Sequence, residues 1–390
     1  MLEALPDGTL RLPALATVHS HAFQRALRGR GQRPAAPGTG GVARDDFWTW
    51  REAMYALASS LTPESIHDIS LVAFRELARA GVRTVGEFHY VHHQADGTPY
   101  DDRTVLADAV IAAARAAGLR IALLRVAYHR AGPGRAPEPG QRRFCDARLD
   151  DVLRDVEALR ARWAGDAGVV VGLAPHSVRA VPPSWLAPLR DHAAARAMPL
   201  HMHVAEQARE VDECLAETGR RPVELLADHG VLSDRFVAVH CTNVLPHEAR
   251  LLGAARAFAC LCPTAERDLG DGLADVTALR AGGATLCAGT DSHVVTDPLE
   301  DLRSLETHER LRTRTRVTLR VPNPAESLWR SGSIDGARAC GFPDAGGHLL
   351  VRRDAPALAL VDGEFLLDAI VFGADRSAFL PGPDGEERSR

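Results

Sequence analysis

Lysine is absent from the 390 residues, so all 46 basic side chains are arginine. That absence removes Schiff-base chemistry, the Gly-Lys-Ser/Thr phosphate loop and the carboxylated lysine that could bridge two metals. Histidine, aspartate, glutamate and arginine are the charged groups left to build a site. The seven cysteines (Cys145, Cys214, Cys241, Cys260, Cys262, Cys287, Cys340) are scattered and include no C-x-x-C pair. A disulfide framework or a four-cysteine zinc site is therefore not expected, and a reducing compartment is the simpler reading. No window approaches the roughly eighteen uncharged apolar residues of a membrane span. The start, Met1-Leu-Glu-Ala-Leu-Pro-Asp, has neither the basic end nor the apolar stretch of a signal peptide. Strong basicity is missing too: the net charge of −5 and isoelectric point near 6.4 count against a nucleic-acid binder. The expectation is a cytoplasmic protein with neither nucleic-acid nor membrane partners.

What is present is a chain with 46% hydrophobic residues, enough to bury a sizeable core. Short apolar runs alternate with Ala/Leu/Arg-rich stretches of helical period. The runs predict strands at Leu15–His21, Thr84–His89, Arg120–Tyr128, Val169–His176, Pro199–Ala205, Phe236–Cys241, Phe258–Cys262 and Thr285–Asp291. Helices are predicted at 64–80, 104–117, 148–163, 185–197 and 246–255, with Thr62-Pro63 as a start signal and Gly81 and Gly118 as stops. Strands separated by helices pair in parallel. Eight such units over about 300 residues predict an α/β fold, a (β/α)8 TIM-like barrel. The barrel is assigned to 13–345. Residues 1–12 and 346–380 are assigned to a small β appendage built from the two chain ends, with two or three antiparallel strands within 348–372. Residues 381–390 read as a disordered tail. Two Gly/Pro/Arg-rich connections, 28–46 and 130–142, are long enough to be lids or binding loops. The arginine-rich run at 303–320 reads as a solvated helix face neutralised by Glu306 and Glu309.

The polar residues fall at the predicted strand ends. His19 and His21 end the first strand, Glu87 and His89 the second and His176 the fourth. His203 and Glu206 end the fifth, His240 the sixth and Asp291 the eighth. In a parallel barrel all carboxyl ends open on one mouth, so these groups converge whatever their separation in sequence. Each signal alone is weak, because this histidine content yields roughly 0.7 H-x-H pairs by chance. A lone His201, His203 or His240 is more simply a hydrogen-bonded core histidine, and Asp291-Ser-His293 could be a helix cap. Together they need one shared reason, since buried polar groups without partners are costly. A divalent metal supplies it. Positions i and i+2 of a strand put His19 and His21 on one side. Three imidazoles and a carboxylate (His19, His21, His203, Asp291) suit zinc first and iron(II) second. A single metal would activate a water, leaving Glu206 and His240 for proton transfer and orientation.

The segments HSHAFQRALRG, DDFWTWREAMY, EFHYVHHQADGTPY, GQRRF, APHSVRAV, HMHVAEQAREVDEC, GRRP, LGDG and GTDSH run in order through most of residues 17–312. With them the chain resembles the amidohydrolase superfamily, in its one-metal aminohydrolase branch, and within that branch the formimidoylglutamate deiminases. The resemblance implies His19, His21, His203 and Asp291 as metal ligands. It implies Glu206 and His240 as the acid/base pair, with Asp291 also moving a proton. It further implies substrate contacts from Gln24, Arg51, Tyr90, His176 and Arg179. The substrate would be a small dicarboxylate with an amidine head, each carboxylate held by one arginine fork. A homodimer is also expected. Relative to that pattern the β appendage is reduced at both ends, and RDLGDG follows CPTAE where a small residue and Asn would be usual. Two rival readings remain at this point: a purine, pyrimidine or triazine deaminase with the same metal site, and a ligand-binding barrel without turnover.

Overall fold

The computed structural model describes residues 1–32 and 46–380. Most of the 28–46 connection and the 381–390 tail lie outside the described residues. In chain order the strands are β1 (Glu3–Ala4), β2 (Thr9–Pro13), β3 (Leu15–Ser20), β4 (Val82–His89) and β5 (Arg120–Ala127). They continue as β6 (Val169–Pro175), β7 (Leu200–Val204), β8 (Phe236–His240), β9 (Phe258–Leu261), β10 (Thr285–Ala288) and β11 (His348–Arg352).

Strands β3 to β10 form one eight-stranded parallel sheet in sequential order. The seam between its two ends is drawn together by backbone hydrogen bonds. Thr290 and Asp291 donate to the His19 carbonyl at 3.0 and 2.9 Å, and His21 donates to the Asp291 carbonyl at 2.9 Å. The sheet is therefore a (β/α)8 barrel, as the strand spacing predicts. All eight predicted strands are present, with ends trimmed or extended by one to three residues.

The helix signals work as their chemistry requires. The helix Pro63–Arg79 starts with Pro63 in its first turn and the Thr62 hydroxyl accepting the Ser65 N–H. The helix Pro298–Thr313 is capped by Asp297, not by Asp291, which leaves Asp291 free for another role. In that helix Arg310 pairs with Glu306 and Arg312 with Glu309, but both glutamates are buried and the helix ends at Thr313, so the arginine-rich run is only in part a solvated helix face.

The barrel's amino end is closed by the helix Ile334–Ala339 and the residues after it. Ala337, Ala339, Cys340 and Phe342 pack with Val18, Ala122, Val237, Cys260 and Cys287. All seven cysteines are free. The opposite, carboxyl end is left open for side chains.

The chain ends form a three-stranded antiparallel sheet, β1-β2-β11. Leu10, Leu12, Leu349 and Val351 alternate inward, as a sheet with one solvated face demands. Beyond β11 the expected further strands do not form. Residues Leu366–Gly373 are a helix that buries Leu366, Leu367, Ile370 and Val371. Their spacing marks one helical face, and a short apolar run cannot be told from a strand by hydrophobicity alone.

Among the described residues no helix is long and apolar enough to cross a membrane.

Candidate active site

Four of the predicted residues meet at the seam. The Nε2 atoms of His19 and His21 are 3.1 Å apart, as are those of His203 and His19. Asp291 Oδ1 lies 3.4 Å from His21 Nε2 and 3.6 Å from His19 Nε2. Donors held about 2.0–2.1 Å from one ion at tetrahedral corners would lie roughly 3.4 Å from one another, so these separations fit a single small cation.

Proton placement agrees with that fit. Burial pushes His21 down to about 3, and it pushes His19 and His203 well below their ordinary value. All three rings are thus neutral near pH 7. The His21 Nδ1 lies 2.9 Å from the Phe88 carbonyl, so that nitrogen carries the hydrogen and Nε2 keeps its lone pair. The three Nε2 atoms converge within reach of one ion, an arrangement that a divalent cation would complete.

Strain accumulates at the same place. Asp291, Ala205, His240 and Cys241 all have positive φ, between 51° and 72°. The left-handed region costs about 1–2 kcal/mol for a non-glycine residue, and it is tolerated where surrounding structure over-determines it. Here the barrel seam and the strand-end turns do so.

Next to the cation position, His240 is flanked by two carboxylates. Its Nδ1 is 3.4 Å from Glu266 and its Nε2 3.9 Å from Glu206. Burial alone would lower the His240 pKa, but Glu206 and Glu266 outweigh burial and raise it. Glu266 itself accepts the Cys262 N–H at 2.8 Å, which fixes its orientation. Asp271 lies close by, raised to about 8 by burial and by Glu206. Neither Glu266 nor Asp271 is among the residues singled out in the sequence. Both lie in CPTAERDLGDG, where the chain departs from the pattern it resembles.

A pocket opens beside this centre. Every residue implied as a substrate contact lines it: Gln24, Arg51, Tyr90, His176 and Arg179. Gln24 donates to the Tyr90 hydroxyl at 2.7 Å. His176 lies on the wall with its ring edge-on to Tyr128, 4.6 Å away. Arg51 stacks over Trp48 at 4.8 Å and over Tyr55 at 5.2 Å. Arg179 is 5% exposed, makes no ion pair among the described residues, and leaves its Nη1 without a hydrogen-bond partner.

Other strand-end residues do not join the site. His89 sits beside His92, 5.2 Å between ring centres, and Arg125 is among the charges that lower its pKa. The two-residue alternation at the end of β4 turns Phe88 toward His19 and His203, Tyr90 into the pocket wall and His89 away. His201 is a core histidine bonded to the Ala339 carbonyl at 3.0 Å. Glu87 is buried beneath the centre, accepting from the Ser20 hydroxyl at 2.5 Å and the Ala22 N–H at 2.8 Å.

The loop after β5 is held by Arg125, fully buried and bonded to Asp146 and Asp155 at 2.7 Å each. This loop brings Gln141, Tyr128 and Phe144 against Tyr55. Motif position was the available signal for Gln141, in GQRRF, and for Tyr55, in WREAMY.

Known proteins share this architecture. The profile of the amidohydrolase family matches residues 10–378. A formimidoylglutamate deiminase of Pseudomonas aeruginosa is 39% identical, the alignment covering 96% of this chain and 84% of that protein. The crystal structure of an amidohydrolase from Brucella melitensis superposes with a TM-score of 0.84 at 34% identity, covering 95% of this chain and 84% of that one. An adenosine deaminase from Xanthomonas campestris, solved with bound zinc, shares the fold at 22% identity and a TM-score of 0.75, covering 95% and 77%. With the family profile spanning nearly the whole barrel, the chain belongs to the amidohydrolase family.

Proposed function

We propose that the chain is a metal-dependent deiminase that hydrolyses N-formimino-L-glutamate to N-formyl-L-glutamate and ammonia, a step of histidine degradation. The observation that carries this reading is Arg179. Among the described residues this buried guanidinium has no direct ion pair, Glu206 and Glu210 acting on it only from a distance, and a ligand carboxylate would engage it with two parallel hydrogen bonds. A neutral purine, pyrimidine or triazine ring offers it acceptor atoms but no charge to pair with. Arg51, whose nearest carboxylate is Glu138 at 3.6 Å, supplies a second cation for a second carboxylate. The 39% identical relative, named a formimidoylglutamate deiminase, supports the same substrate.

His19, His21, His203 and Asp291 would hold one divalent cation, and three neutral imidazoles with one carboxylate favour zinc, then iron(II). Such a cation supplies an activated water at neutral pH and polarises the group under attack. The chain's own residues handle substrate and protons. Arg51 and Arg179 hold the two carboxylates, which fixes the formimino carbon above the seam. Glu206 carries a proton from the water to the imino nitrogen as the new C–O bond forms. His240, its Nδ1 turned to Glu266, presents Nε2 to the reacting oxygen and stabilises the charge that develops there. Asp291 passes the remaining proton to the departing nitrogen. The C–N bond then breaks, leaving the formyl C=O and ammonia.

The test is ammonia release from N-formimino-L-glutamate by protein of counted metal content, with a chelated sample and His203→Ala alongside. Chelator-sensitive turnover with one metal per chain is the expected result. Bound metal without turnover would refute the substrate, and failure to bind metal after reconstitution would refute the centre.

A further inference from the structure

Gln141 is fully buried, and its amide has one orientation open to it. Oε1 accepts the Glu138 backbone N–H at 2.9 Å, so Nε2 is the donating end. That NH₂ group has two hydrogens to place. It has two partners: the hydroxyl oxygens of Tyr55 and Tyr128, each at 3.0 Å. Both phenol oxygens are therefore acceptors toward Gln141. Their own O–H hydrogens must point elsewhere, and among the described residues neither hydroxyl meets an acceptor. Both tyrosines line the pocket with Arg51 and Arg179. Arg51 packs over the Tyr55 ring, and the nearby charges of Arg51 and Arg179 act on the Tyr55 hydroxyl.

We infer that Gln141 sets Tyr55 and Tyr128 as hydrogen-bond donors to a substrate carboxylate, so that the two tyrosines determine specificity and Gln141 positions them. The inference rests on the dicarboxylate reading above. Two hydroxyls bonded to one nitrogen lie within about 6 Å of each other, close enough for one carboxylate to accept from both. With the guanidiniums they make this wall of the pocket a set of donors. A carboxylate, with acceptor lone pairs and no hydrogens, satisfies such a set completely. A primary amide or an alcohol brings hydrogens of its own against them. The tyrosines thus add what the arginines lack: a cation attracts negative charge from any direction, whereas an O–H aimed by Gln141 demands an acceptor at one place.

The test combines kinetics with binding for the unmodified metal-loaded protein, Tyr55→Phe, Tyr128→Phe and Gln141→Glu. The substrates are N-formimino-L-glutamate and its two analogues, each lacking one carboxylate. Glutarate binding, measured by titration calorimetry, needs no turnover. Each Tyr→Phe change should raise KM and the glutarate Kd about tenfold, with kcat changed far less. That penalty should vanish for the analogue lacking the carboxylate the tyrosines hold. In Gln141→Glu the new carboxylate accepts from both phenols and draws their hydrogens away, so adding Tyr55→Phe to it should cost little more. Folded Tyr→Phe proteins with unchanged KM and glutarate affinity would overturn the inference and leave the deiminase reading standing. Glutarate binding weakened by the variants, but without ammonia release from N-formimino-L-glutamate, would do the reverse. An unmodified protein that neither binds glutarate nor releases ammonia would overturn both.

Discussion

His19 and His203 stand 184 residues apart in the chain, yet their Nε2 atoms are 3.1 Å apart, and both rings are neutral. Two buried neutral imidazoles converging there fit a shared cation, which would tie the first and fifth barrel strands together.

Removing metal should therefore cost stability as well as activity. Free metal at about a hundred times its Kd stabilises a folded chain by about 2.7 kcal/mol. A chelated sample should melt several degrees lower than the metal-loaded one, and zinc should restore the difference. In His203→Ala chelation should shift the melting temperature much less. An equal shift in both proteins would place the stabilising metal elsewhere.

Glu206 lies 3.9 Å from His240 and is not one of the four donors at the seam. Glu206→Gln keeps the shape and removes the proton carrier. We expect kcat to fall by about 10²–10⁴ while metal content, counted by mass spectrometry, stays at the unmodified level. Loss of metal in this variant would make Glu206 a ligand.

Arg179 gives a prediction that separates binding from stability. It has no direct ion pair among the described residues and only distant attraction from Glu206 and Glu210, so Arg179→Met should shift the melting temperature of the ligand-free protein little. The same change should raise KM for N-formimino-L-glutamate at least about a hundredfold, because it removes a charge from a buried hydrogen-bonded pair. A lower melting temperature with unchanged KM would make Arg179 a structural residue.

A structural carboxylate sets a pH-dependent contribution. Glu306 is buried, which pushes its pKa up. Arg310, the Thr318 hydroxyl and N–H, and the Leu319 N–H outweigh burial and lower it. A pKa lower in the folded than in the unfolded chain gives stability that is present above the unfolded value, about 4.3. That stability is lost as pH falls through the folded value. Glu306→Gln should therefore have a lower urea midpoint than the unmodified protein at pH 7 and pH 5. The gap should narrow below about pH 4. A gap independent of pH would assign the loss to packing.

Much of this molecule is legible in one dimension because its elements obey local rules. Thr62-Pro63 starts a helix wherever a helix follows, since hydroxyl and ring satisfy the first turn by themselves. Eight apolar runs separated by helical stretches leave few topologies other than a parallel barrel. Strand ends in such a barrel share one mouth, so His19, His21, His203, His240 and Asp291 could be grouped before any coordinates. The run FLLDAIVF resisted the same treatment. Its hydrophobicity suits a strand or a helix, and packing of Leu366, Leu367, Ile370 and Val371 on one face selected the helix.

The sequence by itself determined the barrel, the residues gathered at its mouth and the chemistry open to a chain without lysine, because periodicity, capping and composition are local properties. Tertiary structure alone decided which polar groups lack partners. It turned His89 and His201 away from the pocket, set Glu266 against His240, and left Arg179 without a direct ion pair among the described residues. It also spent both hydrogens of Gln141 on Tyr55 and Tyr128. Those outcomes depend on distances between loops that no local rule encodes, and electrostatic cost in a buried pocket is a function of distance.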